Sequence, residues 1–185
     1  MDEIIVCITG ASGVIYSKRL LEVLKEENIK TSLIISNSAK KIIKHELKME
    51  IDEFKKLADN YYENDNFFSP VASGSHKFKA AVVIPCSMKS LSSIATGYSD
   101  NLIGRVCDIA LKERRDLIIV PREMPFSTIH LENMTKLSHL GVSIIPPAPG
   151  FYNDPKTIDD LVNFVVGRIL DNLKIENKIF KRWGE

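Results

Sequence analysis

The stretch Ile4-Ile5-Val6-Cys7-Ile8-Thr9-Gly10-Ala11-Ser12-Gly13 joins an apolar, largely β-branched run to a glycine-bounded turn, and a helical pattern follows from Ser17 to Glu26. A continuous apolar run of this length suits a strand buried on both faces, as in a parallel sheet. Leu20, Leu21 and Leu24 then share one face of the helix. Strand, tight turn and helix together open a doubly wound α/β fold, in which ligands bind beyond the carboxyl ends of the strands.

The same kind of run recurs at Ser32–Ile35, Ala81–Ile84, Leu117–Val120 and Val142–Ile145. Helical periodicity marks Ile129–Leu140, through Met134, Leu137 and Leu140, and Ile158–Leu173, which is apolar over much of its circumference. The expectation is a single three-layer α/β domain over residues 1–185, Rossmann-like and flavodoxin-like, with a parallel sheet between helices. A chain of 185 residues is long enough to bury one full core. Residues 50 to 80 are more polar and aromatic, with Tyr61, Tyr62, Phe67 and Phe68, and lead to Ala72-Ser73-Gly74-Ser75, which reads as a loop over the sheet edge.

Composition removes several classes of function. Lys and Arg total 25 against 24 for Asp and Glu, so no charge excess points to nucleic acid or an anionic membrane, and any anion site is local. No apolar stretch approaches the roughly 18 residues that span a bilayer, and no basic-then-apolar segment opens the chain, so a cytoplasmic location is expected. Cys7, Cys86 and Cys107 are widely spaced, without CxxC or metal-ligand spacing, and read as reduced, buried thiols.

The turns that follow the runs carry the chemistry. They are Gly10-Ala11-Ser12-Gly13, Ser36-Asn37-Ser38, Pro85-Cys86-Ser87-Met88-Lys89-Ser90, Pro121-Arg122-Glu123 and Pro146 through Tyr152. Four of these five offer a hydroxyl and two offer a cation. Backbone N–H groups at helix starts, hydroxyls and Lys or Arg make up the inventory of a phosphate-bearing ligand site. A dinucleotide fingerprint needs G-x-G-x-x-G and an acidic residue after the second strand. Here Gly10 and Gly13 stand three apart and Ser36 occupies the acidic position, so a mononucleotide fits better.

Two other patterns have plainer readings. Asp159 and Asp160 follow Thr157 at the start of a helix, where Thr is an N-cap and the aspartates favour the helix dipole, rather than forming a magnesium site. His130 and Glu132 are two apart and face different ways on a helix, so with His139 they form no zinc motif.

Taken together, ITGASG, PCSMKSLSSIATG, the run from Asn101 to Gly141, PPAPGFY and the terminal RWGE closely resemble the UbiX family of flavin prenyltransferases. The resemblance covers nearly the whole chain and is most specific from Pro85 to Tyr152; residues 47 to 70 carry little of it. It implies binding of reduced FMN, transfer of the dimethylallyl group of dimethylallyl phosphate to flavin N5 and C6, and delivery of the prenylated FMN to a UbiD-type decarboxylase. It also implies a homo-oligomer, typically a dodecamer, with active sites between subunits. The family's FMN positions fall on Gly10, Ala11, Ser12, Ser36, Ser87, Met88, Lys89, Ser90 and Arg122. Its prenyl-phosphate positions fall on Tyr152 and Arg168, with Ser73, Arg105, Lys112 and Glu123 at neighbouring site positions. Glu46 matches an acid–base glutamate, and Trp183 a tail residue that closes the site. No metal position is carried over, which leans toward the monophosphate as donor.

Two alternatives stay open at this level. Flavin-dependent decarboxylases of cysteine-type carboxylates share the fold, but their Pro-Ala-Ser-Ala-Asn-Thr run corresponds to Pro85 through Ser90, with Lys89 in place of Asn, and His45 is the nearest counterpart of their histidine. A non-catalytic FMN carrier would need no second phosphate site, against which Lys112, Tyr152 and Arg168 argue.

Overall fold

Strand β1 (Ile4–Ile8) is buried along its whole length because both of its faces are covered. Ile4, Val6 and Ile8 pack against Leu20, Leu21 and Leu24 of helix α1 (Val14–Glu26), whereas Ile5 and Cys7 enter a separate core on the other side. The computed structural model describes residues 3–184; Met1, Asp2 and Glu185, which belong to the ends of the expected domain and of the RWGE tail, lie outside the described residues.

The remaining strands are β2 (Thr31–Ile35), β3 (Asn60–Glu63), β4 (Ala80–Cys86), β5 (Asp116–Pro121) and β6 (Ser143–Ile144). They form one parallel sheet in the order β3-β2-β1-β4-β5-β6. Cys7 lies opposite Ile34 on one side and Val83 on the other, which fixes the register at the centre. Helices α1 and α7 (Ile158–Asn172) cover one face, with Ala39 and Ile43 of α2 (Asn37–Leu47) and Phe54 of α3 (Ile51–Lys55). Helices α4 (Met88–Thr96), α5 (Leu102–Lys112) and α6 (Thr128–His139) cover the other, through Leu91, Val106, Ile109 and Leu137. The three-layer α/β architecture expected from the apolar runs is therefore present.

Some boundaries differ. Helix α1 starts at Val14, three residues before the pattern at Ser17, and β6 is only Ser143–Ile144. The larger difference is β3, in the segment from 50 to 80 where no strand was expected. Tyr61 packs toward one core and Tyr62 toward the other, but the polar ends Asn60 and Glu63 hide the period. Without β3 the order is the flavodoxin-like 2-1-3-4-5; with it, it is the Rossmann order 3-2-1-4-5-6. The Ala72–Ser75 loop is held against α5 and the turn after it. Arg105 Nε donates to Ala72 O at 3.1 Å and Arg115 Nη2 to Gly74 O at 2.8 Å, which pins the loop along α5 toward the amino ends of the strands.

All three cysteines are free and buried. Desolvation raises each thiol, Cys107 to about 12, so none offers a thiolate near neutrality. Among the described residues no helix is long and apolar enough to cross a membrane.

Candidate active site

The strand order reverses between β1 and β4, and that is where polar groups converge. Thr9, directly after β1, donates its hydroxyl to Pro85 O at 2.9 Å and accepts the Ser87 N–H at 2.7 Å, tying the two exit turns together. Ser36 caps α2 by accepting the Ala39 N–H at 3.2 Å. Ser87 caps α4 by accepting the Ser90 N–H at 3.3 Å while donating to Ser90 Oγ at 3.1 Å. Asn101 caps α5, accepting the Gly104 N–H at 3.0 Å. These three helix starts surround a cavity of about 300 Å³ that Gly10 and Lys89 also line. A cluster of helix N-termini with hydroxyls and one ammonium suits a phosphorylated, polyhydroxylated ligand. Gly10 is required by close approach, since a Cβ there would run into Ser38 Oγ.

The predicted FMN residues divide around this cavity. Gly10, Ser36, Ser87, Lys89 and Ser90 line it. Met88 packs on the core beneath α4, so its side chain serves the fold. Ala11 and Ser12 lie on the outer turn, where Arg122 Nε donates to Ser12 O at 3.3 Å. Sequence reasoning missed Asn64, Ser93, Asp100 and Asn101 in the lining. Asn64 follows the overlooked strand β3 and holds the start of α5, its side chain accepting the Ile103 N–H at 3.1 Å. Asn101 carried a readable signal as an N-cap residue directly before an apolar helix.

Glu46 stands near the end of α2, exposed rather than in apolar surroundings. Its Oε2 accepts the N–H groups of Gly13 at 2.9 Å and Val14 at 3.3 Å. Gly13, with φ 103°, has no side chain to cap α1, and Glu46 supplies the missing acceptor. Those two donors are thus engaged by a protein carboxylate, while the cavity's donors come from α2, α4 and α5. Glu123 is exposed and accepts its neighbour Met124's N–H at 3.0 Å.

The remaining site residues lie elsewhere on the chain. Lys112 ends α5, about 16 Å along the helix axis from Asn101 at the cavity. It sits 3.6 Å from Glu113 Oε1 and beside Gly74, in the loop where Ser73 Oγ and Ser75 Oγ are 2.8 Å apart. Arg105, on the same helix, pairs with Asp108 at 2.9 Å. Tyr152 meets Trp183 edge to face at 5.0 Å and Phe164 at 5.7 Å. Arg168 pairs with Asp171 at 3.0 Å. A single chain therefore does not bring Ser73, Arg105 and Lys112 to the cavity lined by Ser36 and Ser87.

The reading of Thr157 as an N-cap agrees with the geometry. Thr157 caps α7 in a capping box with Asp160, whose carboxyl is held below its ordinary value by the backbone N–H groups of Lys156 and Thr157. His130 forms a capping box with Ser127 at the start of α6. Among the described residues no group of three His, Cys, Asp or Glu side chains is arranged to hold a metal ion.

Comparison with known proteins identifies the family. The Flavoprotein family model matches residues 1–170. The chain is 71% identical, over 98% of both sequences, to the flavin prenyltransferase UbiX of Methanocaldococcus jannaschii. Among solved structures, a dodecameric FMN-dependent UbiX-like decarboxylase from Escherichia coli O157:H7 superposes with a TM-score of 0.97 at 44% identity, covering 99% of this chain and 100% of that one. AnUbiX in complex with FMN and dimethylallyl pyrophosphate superposes with a TM-score of 0.98 at 39% identity, covering 100% of this chain and 98% of that one. With identity this high over almost its entire length, and a polar cavity at the strand switch point, the chain belongs to the flavin prenyltransferase UbiX family.

Proposed function

We propose that this chain transfers the dimethylallyl group of dimethylallyl phosphate to N5 and C6 of reduced FMN, releasing phosphate. The observation that carries the reading is the cavity walled by the capped starts of α2, α4 and α5, in a chain 71% identical to a flavin prenyltransferase. Ser36, Ser38, Ser87, Ser90 and Lys89 fit a phosphate and ribityl chain, and Arg122 donates to Ser12 O on the turn after β1. Bound reduced flavin supplies the nucleophilic nitrogen and carbon.

Breaking the allylic C–O bond sends the electron pair to phosphate and leaves positive charge on five carbons. Lys112, Arg105, Arg122 and Arg168 stabilise the departing phosphate through charge-assisted hydrogen bonds, each such contact being worth about 10²–10³ in rate. The faces of Tyr152 and Trp183 shield the allyl cation from water and stabilise its charge. Glu46 moves a proton, either to the dimethylallyl unit or from flavin C6, and the released phosphate is the competing base for the second step.

Because Lys112 and Ser73 stand far from the cavity of their own chain, the complete site takes them from a neighbouring subunit of a homododecamer. Joining subunits at the site also accounts for exposed apolar side chains such as Phe68, Met124 and Ile129. The product is the cofactor of a UbiD-type decarboxylase. The test is anaerobic incubation with reduced FMN and dimethylallyl phosphate, then mass spectrometry of the flavin. A gain of one C5H8 unit, absent with Glu46→Gln or Lys112→Ala, supports the reading. Unmodified flavin from wild-type protein that binds FMN stoichiometrically would overturn it.

A further inference from the structure

The carboxylate of Asp171, near the end of α7, gathers four donors. Arg182 Nη1 and Nη2 form a fork on Oδ2 and Oδ1 at 3.0 and 2.8 Å, Arg168 Nη1 reaches Oδ2 at 3.0 Å, and Asn177 Nδ2 reaches Oδ1 at 3.0 Å. A carboxylate offers about four lone-pair positions, so this one is saturated. The Arg182 fork is its main partner and holds its carboxyl below the ordinary value, with Asn177 and Arg168 adding to the effect.

Both arginines adjoin residues to which the functional reading above gives the prenyl donor, Arg168 itself and Tyr152 through Trp183. Arg168 gives Asp171 one N–H, and half of its side chain remains open to solvent. Arg182 directly precedes Trp183, whose ring lies against Tyr152. The strap that follows α7, residues 174–183, carries Arg182 and Trp183 and is seated a second time where Phe180 packs on Gly167 so closely that any Cβ there would strike its ring. Phe180 also meets Phe164 edge to face at 5.3 Å, and Phe164 in turn meets Tyr152. Between the strap and Tyr152 lies a cavity of about 280 Å³, bordered by Asn153, Arg182 and Trp183. Asp171 and Gly167 thus fix from α7 the wall that faces Tyr152.

We propose that Asp171 is a positioning residue of the prenyl-donor pocket: by holding Arg168 and Arg182 on one carboxylate, it sets the phosphate-binding guanidinium and the Trp183 wall in a single geometry. The proposal rests on the functional reading above. It differs from a purely structural anchor because losing the carboxylate releases Arg168 on α7 as well as the strap, which raises the KM for the donor and leaves flavin binding, at the other cavity, untouched.

Trp183 is the chain's one tryptophan, so its fluorescence anisotropy reports the strap directly. The comparison uses the assembled wild-type protein, Asp171→Asn, and Arg182→Lys, the last keeping the charge while losing the fork. Expected for Asp171→Asn are a fall in Trp183 anisotropy, unchanged FMN affinity, and a KM for dimethylallyl phosphate raised roughly ten- to hundredfold, the weight of a hydrogen bond to a charged group. Arg182→Lys moves the same quantities in the same direction, less far, and serves alone if Asp171→Asn does not fold. Variants that lose only thermal stability, with anisotropy and KM unchanged, would overturn the proposal. A wild-type protein that makes no prenylated flavin would overturn the functional reading and the donor half of this one, whereas the anisotropy difference would still decide the strap half.

Discussion

Glu46 caps a helix that begins 32 residues earlier in the chain: its Oε2 accepts the Gly13 N–H at 2.9 Å, at a position where a left-handed glycine leaves α1 without a capping side chain of its own. The turn after β1 therefore depends on α2 for its shape. Glu46→Ala is expected to cost about 1 kcal/mol of stability, the usual value of a lost N-terminal cap, and Glu46→Gln less, because the amide oxygen still accepts. Both are expected to abolish most prenyl transfer. Urea unfolding separates the effects: equal stability losses for the two variants would argue against the capping role.

Gly10 lies against Ser38 with no room for a side chain between them. Gly10→Ala is expected to push the α2 start away from β1, costing about 1–3 kcal/mol as overpacking does. FMN affinity should fall by more than tenfold, since Ser36 and Ser38 border the same cavity. Flavin titration followed by fluorescence checks this. An affinity within twofold of wild type would place the flavin elsewhere.

The fold was legible where burial forces a continuous apolar run, as at Ile4–Ile8, because a strand covered on both faces needs no alternation. It was illegible at β3, an edge strand of four residues whose polar ends conceal the two tyrosines. Of the site, Ser36, Ser87 and Lys89 could be read because each directly follows a recognisable strand. Asn64 was lost together with β3. No local pattern could have paired Glu46 with Gly13 or Asp171 with Arg182, since both are long-range hydrogen bonds set by packing. Nor does spacing reveal that Lys112 ends its helix far from the cavity that the start of the same helix borders.

That separation gives a test of subunit sharing. Lys112→Ala and Glu46→Gln are each expected to be nearly inactive as pure oligomers. If Lys112 acts on a neighbour's flavin, unfolding and reassembling the two variants together in equal amounts restores about a quarter of the wild-type sites, by random pairing in a symmetric assembly. If Lys112 served its own chain, no mixed site would be complete and activity would stay at the level of the parents.

The Asp171 cluster also fixes a pH dependence. Pairing with Arg182 lowers the folded-state pKa of Asp171 below its unfolded value of about 3.9. A carboxyl shifted in this direction contributes stability that is fully present above about pH 4 and is lost as pH falls through the folded value. The stability difference between wild type and Asp171→Asn should therefore be constant from neutrality down to about pH 4 and close below it. Trp183 anisotropy in the wild type should fall over the same acid range, as Arg182 loses its charged partner and the strap loosens. A difference that stays constant down to about pH 2 would mean that the carboxylate's charge does not hold the strap, leaving Phe180 on Gly167 as its anchor.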